Sequence, residues 1–373
     1  MLSLWNLIAA ILIILPLSRQ QHLAQITPKV IIVTFFDGEG NAYLNNSNIT
    51  GEFDFGAQQH EVPFASPQFP FLHCTRGGDV CLITLGEGMV NAAATTMALL
   101  ADPDLDLSKT YWLLTGIAGG APDQVTLNSI TLARFSVQAS MQHEIDAREI
   151  PKDFSTGYFP QGTTSPEDTW GYVYNTEVYE LNIKLRNLAA SMINTTQIID
   201  SSKAKEYRSE YGYDPRYAAG AGLPKVTECD VVSSDTWFSG ELLATSFAKR
   251  VKLWTNGTGV YCTTAQEDGA VLGALARGAL EGRIDFGRII VTRIVSDFDR
   301  PFPNQSAIDN LRAQSLTYDS ALANVYLAGT SIAHGLVKGW DEQFNKGIIA
   351  QNYIGDVRGT LGGEPDFGPG KET

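Results

Sequence analysis

The segment Val30-Ile31-Ile32-Val33-Thr34-Phe35-Phe36 is apolar at nearly every position and β-branched through most of its length, and it stops at Asp37-Gly38-Glu39-Gly40. A run without polar alternation is read as a strand covered on both faces, which demands helices above and below a sheet. The pattern recurs along the chain. Asp79 to Leu85 ends at Gly86-Glu87-Gly88 and leads into Val90 to Leu100, a small-residue helix. Tyr111 to Thr115 is closed by Gly116-Ile117-Ala118-Gly119-Gly120, and Arg288 to Val295 ends at Ser296-Asp297. Ile130 to Phe135 and Val226 to Val232 read as further strands, with helices at Gln266 to Leu280 and Val325 to Leu336. Strands alternating with helices predict a three-layer α/β/α fold.

One domain over residues 28–358 accounts for these elements. Within it, residues from about 140 to 225 are rich in Tyr, Pro, Asp and Ser, with helical character only around Thr176 to Met192. They read as a long insertion that could act as a lid, not as a second domain. Gly359 to Thr373 is Gly/Pro-rich and is expected to be a flexible tail.

Leu7 to Leu17 is an unbroken apolar run of about half the length needed to cross a ~30 Å hydrocarbon core. It predicts a signal peptide over residues 1–21, although no Lys or Arg precedes it and no small-x-small cleavage site follows. No other window approaches the ~18 apolar residues of a spanning helix, which excludes a multi-span helical transporter. Asn-x-Ser/Thr sequons at Asn45, Asn48, Asn194, Asn256 and Asn304 agree with an exported, glycosylated chain, secreted or held at the cell surface. So does the even count of cysteines, Cys74, Cys81, Cys229 and Cys262. Cys74 and Cys81 bracket a hairpin-like stretch, and Cys229 and Cys262 lie on predicted adjacent strands, but four cysteines permit three pairings. No C-x-x-C occurs and the five histidines are scattered, so no metal site is expected. A formal net charge of −14 repels phosphate backbones and argues against nucleic-acid polymers and anionic membrane surfaces as partners.

In open α/β sheets, ligands bind beyond the carboxyl ends of the strands. The candidates there are Asp37 and Glu39, Gly86 to Gly88, Gly116 to Gly120, Asp235-Thr236-Trp237, Gln266-Glu267 and Ser296-Asp297. Each has a plainer reading as helix cap, turn or packing residue. The phosphate-binding loop of nucleotide triphosphatases, the G-x-S-x-G elbow and H-E-x-x-H are all absent.

Taken in order, Gly86-Glu87-Gly88-Met89-Val90-Asn91-Ala92-Ala93-Ala94, Leu114-Thr115-Gly116-Ile117-Ala118-Gly119-Gly120, Val232 to Gly240, Gln266-Glu267-Asp268-Gly269-Ala270 and Arg293-Ile294-Val295-Ser296-Asp297 resemble the purine nucleoside phosphorylase/nucleosidase superfamily. The leader, the insertion and the Pro28-Lys29-Val30 start look most like its fungal-type purine nucleoside permease branch. The resemblance implies a mixed central sheet, no cofactor, a homo-oligomer, and a purine nucleoside as substrate. It implies Asp297 as the general acid that protonates the leaving purine, and Glu267 as the acceptor of the ribose hydroxyls. Gln266 stands where the family has Met. Trp237 would stack on the base, Phe238 would offer its backbone to the purine edge, and Ile117, Ala118 and Gly119 would line the substrate.

The nucleophile decides the reaction. Phosphorylases of the superfamily hold phosphate with arginines, one of them two residues before the glycine of the Gly-rich stretch, where this chain has Leu114. The stretch looks instead like that of the hydrolytic nucleosidases, in which a strand-one Glu and an Arg four residues before the acid position water. Glu39 and Arg293 match these, and a slip of two residues would substitute Asp37 for Glu39. A site without its arginine binds phosphate poorly. The expectation is an exported purine nucleosidase releasing base and ribose with water as co-substrate. The rivals are a non-catalytic nucleoside-binding or uptake protein, and a phosphorylase whose phosphate ligand is Arg76 or a neighbouring subunit's arginine.

Overall fold

The computed structural model describes residues 25–46 and 53–369. The expected signal peptide and the sequon at Asn48 lie outside them. The described residues form an α/β/α sandwich around a mixed sheet of 13 strands. At its centre Val30–Thr34 runs parallel to Val80–Thr84 on one side and to Tyr111–Gly120 on the other. Ile289–Phe298 continues parallel to Tyr111–Gly120, while Tyr261–Ala265 meets the last residues of that strand antiparallel.

The continuous apolar runs are explained by burial on both faces. Ile31, Val33, Trp112, Leu114 and Val291 point into a core shared with the helices Met89–Ala101 and Asp268–Leu280. Their neighbours Val30, Ile32, Tyr111, Leu113 and Ile290 point the other way, into a core closed by the helices Ile183–Met192 and Tyr318–Lys338. A strand's period of two deals alternate side chains to the two layers.

Several elements depart from the expectation. The glycines after Thr115 do not form a turn, because the strand runs on through Gly120. Their lack of a side chain serves close approach. A Cβ on Gly116 would collide with Glu39 Oε1 and stand 2.7 Å from Arg293 Nη1, and one on Gly120 would press on Val295. Ser296 and Asp297 likewise lie within a strand, at an irregularity in its register. Asp37 to Gly40, where the first strand was expected to end, opens the helix Asp37–Leu44.

Residues 140–225 are partly integral to the sheet. Val178–Glu180 pairs antiparallel with Phe135–Gln138, and Ile183–Met192 covers one face of the sheet. Only the Gln142–Glu144/Tyr158–Pro160 ribbon stands apart. In the stretch expected as a flexible tail, Phe367 is buried against Phe135 and Tyr353. The cysteines pair as Cys74–Cys81, across the Phe71–Cys74/Val80–Thr84 hairpin, and Cys229–Cys262. Asn45, Asn194, Asn256 and Asn304 are all exposed. Among the described residues no helix is long and apolar enough to cross a membrane.

Candidate active site

A cavity of about 340 Å³ opens at the carboxyl ends of the central strands, within the size range of small-molecule sites. Seven sequence segments that are far apart in the chain meet there.

Glu39 enters from the first turn of Asp37–Leu44 and is 1% exposed. Both carboxylate oxygens accept backbone N–H groups, Oε2 from Phe35 at 2.8 Å and Oε1 from Ile117 at 2.7 Å. Burial pushes its carboxyl up to about 8, against the pull of the Arg293 guanidinium and with the push of Glu267. Arg293 is fully enclosed. It stacks over Phe35 at 4.4 Å from the ring centre and forms a two-pronged ion pair with Asp268. Glu267 Oε2 lies 3.8 Å from the same guanidinium, and its Oε1 accepts the Gly88 N–H at 3.1 Å. Burial raises Glu267 to about 7, opposed by Arg293.

Asp297 faces the other half of the cavity. Its side-chain hydrogen-bond partner among the described residues is Ser296 Oγ, 2.8 Å from Oδ2. Burial lifts its carboxyl to about 6, the Ser296 hydroxyl lowers it, and the Asp299 charge adds to the rise. Ile117, Ala118 and Gly119 form the floor. Phe238 is buried against Phe247, while Trp237 is 53% exposed and stands at the rim. Gln266 also lines the cavity, with its amide donating to the Asp235 carbonyl at 3.3 Å.

The structure therefore brings Glu39, Arg293, Glu267, Gln266, Asp297, Trp237, Phe238 and residues 117–119 to one place. Two alternatives stay outside it. Asp37 is exposed and accepts from the Gly38 N–H of its own turn. Arg76 is exposed in the hairpin turn at the opposite end of the Val80–Thr84 strand. Residues the sequence reading overlooked include Asp268, which holds Arg293, and Phe35, Phe36, Thr264 and Tyr318, which line the cavity. An acid directly after Glu267 was a visible signal. The two phenylalanines and Thr264 sit in strand or strand-end sequence that reads equally well as core.

Electrostatically the cavity is an acid cluster around one cation. Arg293 is the only Lys or Arg among the described residues that line it, and Asp268 already pairs with it. At the start of the Met89–Ala101 helix, the Gly88 and Met89 N–H groups donate to Glu267 and to Asp235. Helix N-termini are natural anion sites, and this one already serves two carboxylates. A possible metal-ligand grouping among the described residues, His60, Asp102 and Asp104, lies outside the cavity. There the imidazole is 2.7 Å from Asp102 Oδ2.

The sequence profile of the purine nucleoside permease family matches residues 27–349. A purine nucleoside permease of Candida albicans is 38% identical over 348 residues, covering 91% of this chain and 83% of its own. A Schizosaccharomyces pombe protein named as a probable purine nucleoside permease is 34% identical, covering 84% of this chain and 90% of its own. Among solved structures, a 5′-methylthioadenosine/S-adenosylhomocysteine nucleosidase from Neisseria meningitidis overlays with a TM-score of 0.46 at 14% identity, covering 84% of this chain and 99% of that one. The futalosine hydrolase of Helicobacter pylori gives 0.47 at 14% identity, covering 85% and 99%.

Proposed function

The chain belongs to the purine nucleoside permease family, and from that premise we propose that it is an exported hydrolase of purine nucleosides. The observation that carries the proposal is one cavity holding three buried carboxyls raised to about 6, 7 and 8 around a single, already paired arginine. With Asp297 near 6 and Glu39 near 8, the form that carries a protonated Asp297 and an ionised Glu39 is a minor one, about one part in a hundred across neutral pH, and the reaction runs through that form.

Breaking an N-glycosidic bond requires charge to leave the sugar with the base. Asp297, raised by burial, retains a share of its proton at neutral pH and donates it to the purine ring nitrogen as the bond lengthens. Glu267, fixed by the Gly88 N–H and by Arg293, accepts the ribose hydroxyls and stabilises the oxocarbenium-like sugar. Glu39, oriented by two backbone N–H groups, takes a proton from the attacking water. The products are free base and ribose.

Water outranks phosphate on charge. A phosphate dianion would enter beside Glu39 and Glu267 and find Arg293 already bonded to Asp268. A second reading, binding and delivery without turnover, takes its support from the name "permease" borne by the relatives. The test is incubation with adenosine, inosine or guanosine, with and without phosphate, assayed for base, free ribose and ribose 1-phosphate. Base and ribose in phosphate-free buffer, lost in Asp297→Asn, support the hydrolase. Strict phosphate dependence would replace it with a phosphorylase, and bound nucleoside without product would leave the binding protein.

A further inference from the structure

Thr264, Gly119 and Asp297 form a row across three adjacent strands. Thr264 is the register partner of Gly119 on one side, and Asp297 is its partner on the other. Register partners direct their side chains to the same face of a sheet. Here the middle position carries no side chain, so the two outer ones overhang a bare α-carbon. A Cβ on Gly119 would stand 2.8 Å from Thr264 Oγ1 and 3.0 Å from Asp297 Oδ1. Both residues line the cavity. Thr264 Oγ1 has no hydrogen-bond partner among the described residues, although Thr hydroxyls elsewhere in this protein, such as those of Thr95 and Thr96, are bonded to backbone.

A free hydroxyl beside the acid is placed for the atom next to the one the acid protonates. On a purine, the ring nitrogen N7 and the C6 substituent form one edge, read as a pair by bidentate contacts. We infer that Thr264 is the residue that reads the purine C6 position while Asp297 engages N7, and that it accepts both 6-oxo and 6-amino purines. A hydroxyl carries one donor and two acceptor sites, so it donates to O6 of inosine or guanosine and accepts from the amino group of adenosine. Gly119 supplies the gap through which both side chains reach the same ring edge.

The inference rests on the proposal that the cavity takes purine nucleosides, and its readout separates from that proposal. Purine riboside, which has hydrogen at C6, is compared with inosine and adenosine in wild type, Thr264→Val and Thr264→Ser. In Thr264→Val the kcat/KM ratios of inosine and of adenosine to purine riboside each fall about tenfold, the loss of one hydrogen bond. Thr264→Ser, which keeps the hydroxyl, restores both ratios, and Thr264→Ala, which removes the hydroxyl without β-branching, gives the same readout if the Val variant fails to fold. Ratios unchanged from wild type in Thr264→Val would overturn the inference. Should wild type turn over none of the three, the same ratios are taken from dissociation constants measured by intrinsic tryptophan fluorescence. The hydrolase proposal then fails while the C6 reading is still decided.

Discussion

Asp297 and Asp299 stand two residues apart at the end of one strand, and burial pushes the carboxyls of both above the usual range. What differs is what surrounds them. Asp299 receives the Arg300 guanidinium on both oxygens, at 2.8 and 3.0 Å, and the Tyr261 hydroxyl at 2.6 Å. Asp297 has Ser296 and faces an open cavity. A third buried carboxylate, Asp230, collects the backbone N–H groups of Arg134, Phe135 and Val260, and so ties three segments together. Burial alone therefore does not mark a chemical group. A buried acid whose lone pairs are filled by its own chain holds the fold, and one left short of partners beside empty space is available to a substrate.

The comparison breaks or holds at Asp297→Asn. This substitution is expected to lower kcat by about 10³-fold or more, within the range for removing a general acid, while nucleoside dissociation constants change little. Retained turnover would show that Asp297 is no more chemical than its neighbour. Asp299→Asn should behave in the opposite way. It leaves Arg300 buried against the more distant Asp123 alone, 3.8 Å away, and should destabilise the fold by about 3 kcal/mol in denaturant titrations. Unchanged stability would refute the assignment of Asp299 as a structural group.

Thermal melts sharpen the contrast in sign. Because the folded Asp297 carboxyl sits near 6, above its ordinary value, folding favours the protonated form. Its contribution is present at low pH and is lost as pH rises through that value. Asp297→Asn removes the buried charge and is expected to stabilise the protein at pH 7 by about 1–3 kcal/mol. A lower melting temperature for this variant at pH 7 would contradict it. In kinetics, the proposed mechanism requires Asp297 protonated and Glu39 ionised, a minor form given the order of their values. The kcat/KM profile should then be a plateau between breaks near 6 and near 8. Asp299→Asn, where it folds, removes a negative neighbour and should move the lower break down. A fixed lower break would uncouple the two aspartates. The smallest effect is expected at the rim, where the half-exposed Trp237 ring gives about a fivefold rise in KM on replacement by Ala, the lower end of base-stacking contributions.

Much of this arrangement was legible in the residues. The unbroken runs at Val30, Asp79, Tyr111 and Arg288 required a sheet covered on both faces, and the polar residues after them pointed to the cavity. The order of Gly86-Glu87-Gly88, Gln266-Glu267 and Ser296-Asp297 carried the family resemblance. Other choices were not decidable in one dimension. As sequence, Glu39 was the preferred match and Asp37 the alternative a slip of two residues would bring in. On a helix, residues two apart point about 200° from each other, so only one of them can face the cavity, and no helix was expected there. Gly116, Gly119 and Gly120 carry the composition of a turn, and close approach by Glu39, Thr264 and Val295 keeps them in a strand.

The sequence by itself determined the layered fold, the family, and the set of acids from which a site could be built. Periodicity, chain order and residue chemistry are local properties and can be read locally. The tertiary structure alone decided which acids share a cavity, which are filled by their own chain, and that Cys74 pairs with Cys81 and Cys229 with Cys262. It also set Thr264 beside Asp297, although 33 positions separate them. The register between strands distant in sequence settles such pairings, because a slip of one residue would turn every one of these side chains to the other face.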